Sequence, residues 1–160
     1  MKKFIVVILL TMFVPALAFA QATSEKRGWG YGFAGLGADV NGDTRATLHV
    51  GVGGEGLVSG GLGVGGEIGY LSRLRDNASG FGLASANISY HFNRDRRLMP
   101  FITGGASLGF NNGASGGGNF GGGVQYWFAD RAALRLEFRN HIFSSDTPYY
   151  PSFRIGISFR

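Results

Sequence analysis

The last thirty residues constrain the fold most. From Arg131 the chain reads R-A-A-L-R-L-E-F-R-N-H-I-F, breaks at Ser-Ser-Asp-Thr-Pro, and closes on S-F-R-I-G-I-S-F-R. Leu134, Leu136 and Phe138, then Phe153, Ile155, Ile157 and Phe159, take alternate positions, with Arg135, Glu137, Arg139, Arg154, Gly156 and Ser158 between them. A period of two belongs to a β-strand whose two faces differ, because successive side chains point to opposite sides. One face here is apolar and the other tolerates charge. Which of the two meets the surroundings decides what the protein is.

The first twenty residues are a separate matter. Met1-Lys2-Lys3 is a positive start, Phe4 to Leu17 an apolar core, and Ala18-Phe19-Ala20 a small-x-small ending. This is the pattern of a cleaved secretory signal peptide over residues 1–20, which leaves one domain over 21–160. A membrane anchor would need about 20 apolar residues and usually lacks that ending. No other stretch approaches a transmembrane helix. With no cysteine, neither a disulfide framework nor a thiolate metal site is available, so packing and backbone pairing must hold the exported chain together. Charged residues make up 16% of the chain, against about 25% in an ordinary soluble domain. Lys26 is the one lysine after residue 20. Such a surface does not mainly face water. The basic balance has no helix or motif behind it, and export argues against nucleic acid as a partner.

No helical periodicity follows the signal segment. Eight strand candidates do: Gly28–Ala38, Thr44–Val58, Gly61–Leu71, Gly80–Phe92, Met99–Phe110, Asn119–Phe128, Arg131–Phe143 and Pro151–Phe159. Each has about the 9–11 residues that a tilted membrane strand needs. Asn41-Gly42, Ser59-Gly60-Gly61, Asn112-Gly113 and Asp146-Thr147-Pro148 mark turns, Asn93 to Arg97 a charged tight connection, and Ala129-Asp130 a two-residue hairpin turn. The 29 glycines sit within strand-like runs, which suits a tightly curved sheet. Strands alternating up and down bring Trp29, Tyr31, Tyr90, Phe92, Phe101, Tyr126, Phe128 and Phe159 near one rim. Tyr70, Phe81, Phe110, Phe120, Phe143, Tyr149 and Phe153 fall near the other. Two aromatic girdles around an apolar band are what outer-membrane barrels show. In a bilayer a closed barrel is also the one sheet without unpaired backbone edges. The expected fold class is all-β, an eight-stranded antiparallel up-and-down transmembrane β-barrel.

The chain resembles the small eight-stranded outer-membrane barrels typified by OmpA and OmpX. The resemblance rests on Y-H-F-N-R-D-R-R-L-M-P-F-I at Tyr90 to Ile102, on Q-Y-W-F-A-D-R-A-A-L-R-L-E-F-R at Gln125 to Arg139, and on the closing F-R-I-G-I-S-F. It implies residence in the outer membrane of a Gram-negative-type cell. It also implies delivery by the barrel-insertion machinery, which reads a C-terminal strand similar to this one, although Arg160 follows the terminal aromatic Phe159. No wall-binding segment follows the barrel, so cell-wall tethering is not implied.

An eight-stranded barrel is just wide enough for side chains to fill. The inward set is expected to be a charge network of Glu55, Glu67, Arg135, Glu137, Arg139 and Arg154, with His49, Asn87, Ser89, His91, Gln125 and His141 as polar companions. The three glutamates balance the three arginines, and an arginine fork suits bidentate pairing in confined space. A filled, structural or protective barrel is the leading expectation. A narrow solute pore, a lipid-modifying enzyme and a soluble exported barrel with reversed faces are the alternatives. Ser89 with His91, and His141 with Ser144, lack the spacing of a nucleophile, base and orienter, so no catalytic residue is assigned. No cofactor or metal is expected. Gly30 to Gly35 and Gly61 to Gly66 fit G-x-G-x-x-G, but no helix follows to receive a pyrophosphate. Asp39 to Asp43 resembles the opening of a calcium loop, but it has Thr44 where glycine and Val50 where glutamate belong. Arg94, Arg96 and Arg97 read as a solvated turn at the inner rim. The expected partners are outer-membrane lipid and, through Arg45, Arg73 and Arg75, lipopolysaccharide phosphates; a monomer is expected.

Overall fold

The computed structural model describes residues 28–40, 44–74, 80–144 and 149–160. The signal segment, the 21–27 lead-in, Asn41-Gly42, Arg75 and Asp146-Thr147-Pro148 lie outside the described residues. Eight strands follow one another: β1 (Gly28–Asp39), β2 (Arg45–Ser59), β3 (Leu62–Arg73), β4 (Gly80–His91), β5 (Leu98–Phe110), β6 (Ala114–Trp127), β7 (Ala132–Phe143) and β8 (Tyr149–Phe159). Each pairs antiparallel with the next, and β8 returns to β1, so the sheet is a closed up-and-down barrel.

Seven strands lie within two residues of their expected bounds. β6 begins five residues early, because β5 pairs down to Phe110↔Ala114 and draws Ala114-Ser-Gly-Gly-Gly into the ladder. Glycines that read as loop in isolation become strand when a neighbour offers a full row of partners. The connection after β6 is also longer than expected: it runs from Phe128 to Arg131 and is closed by Ala129 N–H donating to Ala132 O. Between β2 and β3 only Gly60 and Gly61 turn the chain, with φ of 54° and 95°. A two-residue hairpin with both φ positive follows the right-handed twist of its strands and favours glycine at both places.

The barrel wears its apolar face outward. Val50, Val52, Val64, Ile68, Ile88, Ile102, Phe138 and Ile155 are exposed, while Glu67, Glu137, Arg139 and Arg154 are at most 2% exposed. This overturns the reversed-face soluble alternative. Tyr90, Phe92, Tyr126, Phe128 and Phe159 face out near the end where β1 begins, the expected periplasmic end, and Tyr70, Phe110 and Tyr149 near the other. Phe120 and Phe153 also face out, but nearer the middle of their strands than the rim.

Trp29, Tyr31 and Phe143 do not join the girdle: all three are buried inside the barrel, and Phe101 lies inside too. Phe81 shares the inward phase of β4 and packs on Phe143. The reason is the wall opposite. Tyr31 pairs with Gly53 and Phe33 with Gly51, and a Cβ at Gly53 would lie 2.6 Å from the Tyr31 ring. The same complement recurs as Arg154↔Gly35, Glu137↔Gly123, Arg139↔Gly121 and Phe143↔Gly117. Large inward side chains are laid over glycines of the next strand, which is how a narrow cylinder holds them. The glycines therefore serve interior volume as well as curvature.

Two outcomes follow from these faces. Ile155→Arg, which puts a charge mid-strand on the outward side, should lower barrel stability in lipid by about 2–4 kcal/mol, read from urea unfolding in vesicles. Gly53→Ala should cost about 1–3 kcal/mol by forcing the Tyr31 ring aside, whereas Gly56→Ala, with open space around it, should cost far less in the same assay.

Candidate functional site: the charged interior

Alternation along β7 sends Arg135, Glu137 and Arg139 inward from one strand, and the antiparallel register sets Arg154 of β8 directly beside Glu137. Glu137 is the hub. Its Oε2 accepts from Arg135 Nε at 2.9 Å, and its Oε1 accepts from Arg139 Nε at 2.6 Å and lies 2.9 Å from Arg154 Nη2. Arg139 Nη2 also closes on Oε1. Arg154 forks across the barrel to β3, with Nη1 and Nη2 donating to Glu67 Oε1 and Oε2 at 2.9 and 3.2 Å. Tyr31 OH donates to Glu67 Oε2 at 3.2 Å, and Arg139 Nη2 stands 3.9 Å from that oxygen. Arg135 Nη1 lies 3.6 Å from Glu55 Oε2.

Aromatic faces complete the cradle. The Arg135 guanidinium sits 4.5 Å from the Tyr31 ring centre and 4.0 Å from that of Phe101, and Arg154 sits 4.0 Å over Phe33. A guanidinium is planar and weakly hydrated, so it stacks on a ring face while its edges donate to carboxylates. This is why Tyr31 and Phe101, expected in the girdle, belong inside beside Arg135, while Trp29 and Phe143 meet His91 and His141 instead. The available signal was parity: Phe143 shares its phase with Arg139 and His141, as Tyr31 does with Trp29 and Phe33.

Two polar wings extend the lattice. Arg139 Nη1 donates to Asn119 Oδ1 at 2.7 Å, Asn119 Nδ2 donates to Ser107 Oγ at 2.9 Å, and Ser107 Oγ meets His141 Nδ1 at 3.1 Å. Toward the end where β1 begins, Glu55 Oε1 meets His91 Nε2 at 2.6 Å and also contacts Ser89 Oγ. Gln125 Oε1 accepts from Arg135 Nη1 at 3.4 Å. The six charged residues expected inside therefore meet in one lattice, and His91, His141 and Gln125 attach to it. His49 and Asn87 are buried but outside it: the His49 ring nitrogens find no hydrogen-bond partner among the described residues, and the ring meets Phe33 and His141 edge-on.

Both mouths are lined by aromatics. Trp29, Trp127 and Met99 cluster at the end where β1 begins, with Arg160 laid over Trp127 at 3.6 Å. At the other mouth Phe81, Phe143 and Tyr150 face a shallow recess of about 330 Å³. Arg73, expected to reach lipopolysaccharide, donates through Nε and Nη2 to the buried Asp39 at 2.9 and 2.6 Å.

A match to the outer membrane protein beta-barrel domain family spans residues 5–160. Among curated proteins no sequence matches. Solved structures with the same fold include the Neisserial surface protein A, at 13% identity and a TM-score of 0.68, over 82% of this chain and 96% of that one. Ail of Yersinia pestis is similar at 12% identity and a TM-score of 0.59, over 84% and 99%. The N-terminal barrel of Pseudomonas aeruginosa OprF is similar at 14% and 0.58, over 83% and 98%.

Removing one partner of this lattice strands a buried charge. Glu137→Ala and Glu67→Ala should each destabilise the barrel by about 3–5 kcal/mol, read as a lower temperature for the folded-to-unfolded gel shift. Replacing Glu67 and Arg154 together by Leu and Met should recover most of that loss.

Proposed function

The chain belongs to the outer membrane protein beta-barrel domain family, and from that premise we propose that it is a structural and protective element of the outer membrane, closed to solutes and without catalytic activity. One observation carries the reading. The Glu67–Arg154–Glu137 bridge runs from β3 to β8 and β7 across the interior, with Arg139 and Arg135 on either side, so the middle of the cylinder is occupied by paired charge. A conducting path would have to part these pairs, and in confined space each parted ion is expensive.

The non-catalytic part rests on the Ser89–His91–Glu55 cluster. A relay needs the nucleophile on one imidazole nitrogen and the orienting carboxylate on the other. Here Ser89 Oγ and Glu55 Oε1 both meet His91 Nε2, at 3.2 and 2.6 Å, and Nδ1 finds no partner among the described residues. The cluster is buried beside Trp29 and Phe101, where no lipid ester reaches it. The proposed partners are bilayer lipid, the insertion machinery acting on the closing β8 strand, and lipopolysaccharide at the outer rim through Arg45, with the barrel acting as a monomer.

In planar bilayers the purified barrel should give no steady conductance steps, while Arg154→Ala with Glu137→Ala should open measurable ones. Steps of stable size from the native protein would instead establish the pore. Incubation with outer-membrane lipid should release no lysophospholipid and leave lipid A unaltered.

A further inference from the structure

The fold gathers basic side chains from two separate turns onto one arc of the rim at the end where β1 begins. The β4–β5 turn carries Arg94, Arg96 and Arg97, and the β6–β7 turn carries Arg131, all exposed. These turns are neighbours: Trp127 N–H donates to Arg97 O, and Leu98 pairs with Tyr126. The chain end joins them, with Arg160 N–H donating to Arg131 O and Arg160 Nε to Asp130 O. Arg160 itself turns to the barrel mouth, over Trp127, so the outward arc is made by the four turn arginines, against two acids, Asp95 and Asp130. The remaining turn at this end, Gly60–Gly61, carries no charge, so among the described residues the basic surface lies on one side.

The same arc carries the outward aromatics. Phe92 immediately precedes the first turn and Phe128 opens the second, with Tyr90, Tyr126 and Phe159 beside them, all exposed. Aromatic rings of a membrane protein sit at headgroup depth. Arg94 follows Phe92 by two residues and Arg131 follows Phe128 by three, which puts these turns at the level of lipid phosphates, and their long stems can lie along the bilayer edge while the guanidinium stays polar. A guanidinium binds a phosphate through two parallel hydrogen bonds.

We propose that this arc is a binding surface for anionic phospholipid of the inner leaflet, holding phosphate groups between the β4–β5 and β6–β7 turns. A turn that was basic only to stay hydrated would not need to be joined by a second basic turn over the same girdle. The proposal requires outer-membrane residence but not a closed interior, so conductance results leave it untouched.

Native mass spectrometry of the full chain, offered equal amounts of phosphatidylglycerol and phosphatidylcholine with identical acyl chains, tests it. Each arginine near a membrane surface is worth roughly a fivefold preference. Phosphatidylglycerol should therefore be retained at least about tenfold over phosphatidylcholine, less so as salt rises. The R94Q/R96Q/R97Q variant should bring the two lipids to near parity while keeping the heat-modifiable gel shift of a folded barrel. If that variant does not fold, R96Q and R131Q singly should each lower the preference severalfold. Equal retention of the two lipids by the native chain, or an unchanged preference in folded variants, would overturn the proposal.

Discussion

Glu137 lies within hydrogen-bonding or ion-pair reach of three guanidiniums, and the rest of the interior is arranged around that fact. A lone carboxylate at this depth would be very costly, and three arginines without acids would be worse. Together with Glu55 and Glu67 the six side chains balance formally, and every charge has an opposite within 4 Å. Buried ion pairs often add little net stability compared with apolar packing. What this one can supply is uniqueness. It ties β7 and β8 to β2 and β3, strands distant in sequence, and a register slip by one residue would turn its charges toward lipid.

The wall has to make room for such a lattice. An eight-stranded cylinder has little room for arginine or tyrosine facing large residues on both neighbouring strands. Here the partner is repeatedly glycine: Gly53 beside Tyr31, Gly35 beside Arg154, Gly121 beside Arg139. A glycine in a strand loses side-chain packing and gives up more backbone freedom on folding. In this barrel that loss is offset by the stacking and pairing of the residue laid over it. Abundant glycine and buried arginine are thus two sides of one packing solution.

Family membership and the shared fold of the Neisserial, Yersinia and Pseudomonas barrels agree with this inversion of faces, but at 12–14% identity they speak to architecture alone. Individual function in such a cylinder resides in the interior, the rims and the loops. The interior here is filled by matched charge. Among the described residues the rim where β1 begins is basic on one side, because the antiparallel order brings the turns at residues 92–97 and 128–131 together.

Strand number, antiparallel order, the outward apolar face and the six inward charges were all legible in the sequence, because a period of two is a local property that survives any tertiary arrangement. The same parity could have placed Phe143 inside with His141 and Arg139. Trp29 and Tyr31 were harder. Their alternates, Gly30 and Gly32, give no polar contrast, so an aromatic face beside a glycine face reads as lipid-facing until the opposite wall is known. The early start of β6, the stacking of Arg135 and Arg154 on rings, and the isolation of His49 and Asn87 from the lattice depend on which residues lie across the seam. Alternation along a strand determined which side each residue takes. Only closure of the barrel decided which partners it meets there, because those partners come from strands the chain reaches later.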